Sequence, residues 1–472
     1  MLKKITAILI FSVLAVPVIG QSAYEISIKT KLKDGDTLIL ANYFGDKQYA
    51  KDTAYAINNN AVFSGKKPLA NGVYLVVMPQ KNYFEILVPN EDQRFELEVP
   101  EDLNPKNIMV KGSKDNALFL AFGAFAQEQG LLAREIREAF NSAKSEKEKK
   151  ELREKNTQLA KAVSQKRIEL ARANPNTFAA KLFMSMTDID IPDAPENLGK
   201  EEKKEWTFNY YKKHYWDNID LSEDGLVRTP VFYNKLKYYI QKVYPQIPDS
   251  VIAGADRLIG KIDEQKAPEL FHFAVWWLTN TYEENKTVCM DKMLHYMAST
   301  YYCAGRAWWA DSSTVAKFCE HAKNIGPTLC DKQAPEMLMP DTNKNLQSLH
   351  AVMADYTVVA FWDHECGHCK KEIPKLSRIY KDSLQNLGVK VYAVYTQGDW
   401  DGWKKFVKEK EISFINVANM YGMDNFRENY NIISTPKFLI LDKNKIIKLK
   451  DVPIDKIYEA IQFLIKDEKN QN

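Results

Sequence analysis

Cys366 and Cys369, three positions apart in "VVAFWDHECGHCKKEIPKL", are the residues of this 472-residue chain best placed to do chemistry. Such a pair can clamp a metal, close a structural disulfide, or cycle between dithiol and disulfide. A zinc site takes four ligands, typically two such pairs or one pair with two histidines. No second pair exists, and Cys319 with His321 is the nearest leftover. Haem attachment requires histidine directly after the second cysteine, where this chain has Lys370. A structural bridge across two residues closes too short a loop to gain much. The pair therefore reads as a redox couple, with no metal and no cofactor beyond its own disulfide.

The surroundings suggest a division of labour. Cys366 follows a buried-looking apolar run and precedes the helical segment "KKEIPKLSRIYKDSLQ", which puts it at a helix N-terminus. Unpaired N–H groups and the helix dipole there favour a thiolate. Cys369, one turn further in, is positioned to attack a mixed disulfide formed at Cys366. Gly367 is expected to permit a tight approach, and a protonated His368 to stabilise the thiolate further. Stabilising the reduced form makes a couple more oxidising.

The elements that must carry this pair change character along the chain. Residues 1–20 have the form of a secretory signal peptide, with Lys3 and Lys4 ahead of an apolar run from Ile5 to Val16 and cleavage expected after Gly20. The run is short for a spanning helix, so the expected product is a soluble chain in the periplasm, an oxidising compartment, with the outer face of a membrane as an alternative address. Residues 21–112 alternate as short strands ("YEISIKT", "DTLILANY", "GVYLVVM") between turn signals such as Asp34-Gly35, Asn71-Gly72 and Pro89-Asn90, the pattern of an antiparallel β-sandwich. From 113 to 330 the period becomes helical. Leu118, Phe122, Phe125, Leu132 and Ile136 mark one amphipathic helix, and Leu152, Leu159, Val163 and Leu170 a second, with the run "KSEKEKKELREK" as a solvated face or bend. Further on, "EWTFNYYKKHYW" and "FHFAVWWLTNTY" are rich in rings; these read as packing between helices, with a peptide or glycan groove as the functional alternative. Residues 331–472 alternate strands ("YTVVAF", "VKVYAVYT", "PKFLILD") with helices, the pattern of an α/β domain. Lys plus Arg number 65 against 62 for Asp plus Glu, and so even a balance gives no sign of a nucleic-acid partner.

Taken together, Phe361-Trp362, the Cys-Gly-His-Cys motif, Pro374 and "STPKFLILDKNKII" resemble thioredoxin-fold thiol-disulfide oxidoreductases, above all the TlpA-like periplasmic family. The upstream segments are similar to the β-rich and helical N-terminal domains, of unknown function, that multi-domain members carry. The resemblance implies a catalytic pair Cys366 and Cys369, a cis proline at Pro436 after Thr435 that faces them and pairs with substrate backbone, and an acidic group at Glu372 for proton transfer, with an exposed helix glutamate as the alternative reading of that position. It also implies partner proteins with cysteines, a membrane electron donor, and service in cytochrome c maturation.

Two departures stand out. Where thioredoxins carry tryptophan before the first cysteine this chain has Glu365, preceded by Asp363 and His364, and a nearby carboxylate opposes the thiolate. The buried aspartate of thioredoxins falls at Ala360, which leaves Glu372, or less directly His364, to move protons. The family resemblance points to a reductase, the Gly-His dipeptide to a disulfide isomerase or oxidant; a binding module with a vestigial redox domain is the alternative of another class. Cys289, Cys303, Cys319 and Cys330 allow two disulfides in three pairings; Cys319 with Cys330 is the favoured one, and four buried thiols the alternative.

Overall fold

The computed structural model describes residues 22–471; the expected signal peptide lies outside them. Eight strands open the described chain: β1 (Tyr24–Lys29), β2 (Thr37–Phe44), β3 (Lys47–Tyr55), β4 (Asn60–Gly65), β5 (Gly72–Val77), β6 (Tyr83–Val88), β7 (Arg94–Glu98) and β8 (Met109–Lys111). They form two four-stranded sheets, β4-β1-β7-β8 and β3-β2-β5-β6. All neighbours are antiparallel except β1 with β7, which run parallel. Alternate residues, among them Ile26, Ile28, Leu38, Leu40, Phe63 and Ile86, close one apolar core. Asn58 and Asn59 turn the chain into β4 with φ of 53° and 61°, a left-handed pair that asparagine tolerates and tight hairpins demand.

The helical region follows as α1 (Lys114–Ser142), α2 (Glu146–Ala173), α3 (Phe178–Ser185), α4 (Lys200–His214), α5 (Pro230–Tyr238), α6 (Pro248–Ile259), α7 (Pro268–Glu283), α8 (Asp291–Met297) and α9 (Ser312–Ile325). Ser113 caps α1, and Ser145 with Glu148 forms a capping box on α2. The charged run thus spans a bend and then an exposed helix start. Compact packing divides the chain in two, residues up to 236 with 263–270 in one unit and 237–262 with 271 onward in the other. In the first unit Glu223 accepts from the Asn71 amide (2.5 Å) and pairs with Lys181 (2.7 Å), while Arg228 donates to the Asn71 carbonyl (2.7 Å). These bonds join the sandwich to the helices that follow it.

The second unit contains the α/β domain: β9 (Leu338–Pro340), β10 (Leu346–Ser348), β11 (Tyr356–Trp362), α10 (Cys369–Asp382), β12 (Val389–Tyr395), α11 (Trp400–Glu409), β13 (Ile415–Ala418), α12 (Phe426–Asn429), β14 (Lys437–Asp442), β15 (Ile447–Lys450) and α13 (Ile457–Gln471). Its sheet runs β13-β12-β11-β14-β15, with the first three parallel and the last two antiparallel. Central β11 is buried on both faces, as a continuous apolar run should be. Val358, Ala360 and Trp362 join one core, Val359 and Phe361 the other.

The remaining cysteines pair as Cys289–Cys330 and Cys303–Cys319, which corrects the expected Cys319–Cys330 bridge. After Cys319, α9 continues six residues to Ile325, carrying the chain about 9 Å along the helix axis before it reaches Cys330. Cys319 instead meets Cys303, just after the π-helical turn Ala298–Tyr302 that packs on α9. Cys330, at the entry of the α/β domain, is left to Cys289.

Candidate active site

Cys366 lies in the loop between the carboxyl end of β11 and α10, and its carbonyl accepts the Lys370 N–H at 3.0 Å. It therefore does the work of an N-cap residue. Its sulfur accepts the N–H of Cys369 at 3.4 Å, as a serine or aspartate oxygen would, and its thiol donates to the Thr435 carbonyl at 3.4 Å. Burial is the largest single effect on this thiol and raises its pKa, but the N–H groups of Cys369 and His368 and the side chains of Cys369 and Thr435 outweigh it, and the net shift is downward. Cys369, fully buried, is pushed up to about 12, first by burial and then by the hydrogen bond and charge of Cys366. The two sulfurs are thus sharply unequal. Both are free thiols.

The supporting residues fall around them. The Thr435-Pro436 peptide is cis, as expected. Trp362 is fully buried and packs on Phe406 (5.2 Å between centroids) and Tyr395 (5.8 Å). Glu365 is exposed and its N–H bonds Asp363 Oδ1 at 2.9 Å; His368 is exposed as well. Glu372, half-buried in the first turn of α10, bonds the His368 carbonyl through its N–H at 2.9 Å. As the residue three beyond Cys369 it shares that helix face. Ala360 is fully buried among apolar neighbours. At Gly367 φ lies outside the left-handed region and a Cβ would meet nothing within 4 Å. The backbone therefore does not require glycine there.

One residue gains a place that its sequence context only hinted at. His364 Nε2 lies 3.2 Å from Asp399 Oδ2, and its ring sits 5.5 Å from that of Tyr395. Beside these, Tyr395, Thr396, Gln397, Trp400, Asn419 and Arg427 line part of a cleft of about 420 Å³ at the carboxyl ends of β12 and β13. That edge of an α/β sheet is where ligands are customarily received. Nothing in the spacing of these residues announces the cleft, since it is assembled from two strand ends and the loop before α12.

Residues 330–450 match the AhpC/TSA family, and residues 24–119 and 142–320 match two domains of unknown function, DUF4369 and DUF5106. Among solved structures the chain is similar to a domain of a possible thiol-disulfide isomerase from Cytophaga hutchinsonii, at 35% identity over 31% of this chain and 97% of that one, with a TM-score of 0.29. It is also similar to the thioredoxin domain of a thiol-disulfide oxidoreductase from Bacteroides vulgatus, at 26% identity over 29% and 96%, TM-score 0.27. A thiol:disulfide interchange protein from Bacteroides sp. is similar at 25% identity over 30% and 92%, TM-score 0.28. No curated protein matches the chain. Among the described residues no helix is long and apolar enough to cross a membrane.

Proposed function

Since this chain belongs, through residues 330–450, to the thioredoxin-like AhpC/TSA family, we propose that it is an exported thiol-disulfide oxidoreductase, working as a reductase on cysteines of other periplasmic proteins. The observation that carries this reading is the inequality of the two sulfurs, one half-exposed and favoured as thiolate, the other buried beneath it and held as thiol. The Cys366 thiolate attacks a substrate disulfide, forms a mixed disulfide and expels one substrate thiolate. Cys369 then attacks the Cys366 sulfur, giving up its proton, and the Cys366–Cys369 bond replaces the bond to substrate. Substrate leaves as a second thiolate, having gained the two electrons the pair has lost.

We assign the Cys369 proton to Glu372, on the same face one turn along α10, and the seating of substrate backbone to Thr435 and Pro436. A membrane electron donor would return the pair to the dithiol, and cytochrome c maturation is one process such a reductase would serve. The redox-active disulfide is the sole redox group in this cycle. Export is supported by the form of residues 1–20 and by the Cys289–Cys330 and Cys303–Cys319 bridges, since disulfides persist in oxidising compartments.

A second reading, isomerase or oxidant, draws on one observation. Lowering the Cys366 thiol stabilises the reduced form and raises the potential. Equilibrating the protein with glutathione and with thioredoxin, and reading the Cys366–Cys369 peptide by mass spectrometry, separates the two. A potential near about −250 mV or lower marks a reductase, and one near about −180 mV or higher an isomerase or oxidant. A pair that does not cycle at all would overturn both.

A further inference from the structure

Resting on the reading of Cys366 and Cys369 as a working couple, we infer that His364 is a positioning residue, which ties the active-site loop to the first turn of α11 and so holds the Asp363 N–H on the resolving sulfur. The chain of contacts is continuous. Asp399 divides its carboxylate: Oδ1 accepts the Gly402 N–H at 3.0 Å and caps α11, while Oδ2 lies 3.2 Å from His364 Nε2. The His364 side chain is only 14% exposed, and its Nδ1 faces Asp363 Oδ1 at 3.9 Å. Asp363, immediately before His364 in the chain, is the residue whose backbone N–H counters burial at the Cys369 thiol, and it folds its own side chain back on the Glu365 N–H at 2.9 Å. Tyr395, on β12, supplies the floor under the imidazole, with ring centroids 5.5 Å apart.

A separate observation sits on the other side of the contact. Residue 402 lies in the first turn of a helix, where alanine would be the better helix former, yet it is glycine. A Cβ there would collide with Asp399 Oδ2 and stand 2.5 Å from His364 Nε2. The missing side chain is the socket into which His364 fits. The residue is therefore built in from both sides, by a carboxylate oxygen 3.2 Å from its Nε2 and a glycine that makes room for it.

The consequence falls on one half of the reaction. The thiolate of Cys366 is stabilised by N–H groups of the α10 entry, which do not depend on His364. Resolution requires Cys369 to ionise as it attacks the Cys366 sulfur of the mixed disulfide, and an N–H aimed at that sulfur stabilises the developing thiolate.

Rapid-quench mass spectrometry on a disulfide peptide measures the two steps apart. His364→Ala should slow resolution about tenfold, the size of one charge-assisted hydrogen bond, while attack by Cys366 changes less than about threefold. Gly402→Ala should give the same split from the opposite side, and His364→Gln, which keeps a donor toward Asp399, should recover most of the rate. If both alanine variants fail to fold, Asp399→Asn, which retains the helix cap, should show the same split in milder form. Resolution within twofold of wild type in every folded variant would overturn the inference. A wild-type protein that forms no mixed disulfide would instead sink the oxidoreductase reading. In that event Cys369 alkylation at pH 9, compared in a Cys366→Ala background with and without His364→Ala, still decides: slower reaction supports the tie, and equal or faster reaction refutes it.

Discussion

At the scale of residues, the site works through difference rather than reactivity as such. Cys366 and Cys369 share one turn of chain, yet the first takes N–H groups from a helix entry and the second lies in an apolar core. Iodoacetamide at neutral pH should therefore modify Cys366 and spare Cys369, with the Cys366 rate half-maximal below the ordinary thiol value. Equal labelling of both by peptide mapping would contradict this. The same shifts set a pH dependence for the stability of reduced over oxidised protein. The depressed Cys366 value adds stability that is fully present above the unfolded thiol value and is lost as pH falls through the folded one. Cys369, raised from 9.0 to about 12, acts oppositely and removes stability once an unfolded chain would ionise it. Comparing denaturant midpoints of the two redox forms should thus show the reduced form gaining as pH climbs toward 9 and losing beyond it; a flat difference would contradict both shifts. The cysteines and Thr435-Pro436 were legible from the chain because their chemistry is carried by short motifs. The seat of His364 was not, because it needs Asp399 and Gly402 from another helix start, and no local pattern links them.

At the scale of elements, periodicity served where burial is one-sided and failed where contacts are distant. The alternation of β1 to β7, the helical spacing of α1 and α2, and the unbroken apolar run of β11 each follow from which faces water. Disulfide pairing does not. Cys303 and Cys319 meet because the π-helical turn Ala298–Tyr302 packs against α9, a register no spacing rule encodes. Replacing both with serine should cost about 3 kcal/mol of stability by the loop-closure argument for a separation near 15 residues, measured by urea unfolding with Cys366 and Cys369 kept reduced. A loss under about 1 kcal/mol would mean the helices hold this register without the bridge. Within α10, Pro374 is the sixth residue and cannot return a hydrogen bond to the Lys370 carbonyl. The helix thus begins regularly at the cysteines, and the one missing bond falls after they have been placed.

At the scale of the whole molecule, the compact units do not follow the changes in sequence pattern. Residues 237–262 and 271–330 look helical and aromatic in the chain, yet pack in one unit with the α/β domain. The reason is visible at β15. Lys450 is 4% exposed, and its ammonium meets the Asp291 carboxylate at the start of α8 and the Thr328 carbonyl at 3.1 Å. Cys289 and Cys330 add a covalent tie at the same place, with the Cys289 sulfur 3.7 Å from the Lys448 carbonyl. A charge buried this deeply needs its partner, because burial without one costs more than the pair gains in place of apolar residues. Asp291→Ala should therefore lower stability by about 3 kcal/mol, the usual cost of stranding one member of a buried pair. Asp291→Leu with Lys450→Met, which removes both charges, should recover most of that loss. Urea unfolding of Asp291→Leu, of Lys450→Met and of the double completes the cycle. If the double variant is as unstable as Asp291→Ala alone, the helices are held to the α/β domain by packing and the Cys289–Cys330 bond, and the ion pair is not what joins them.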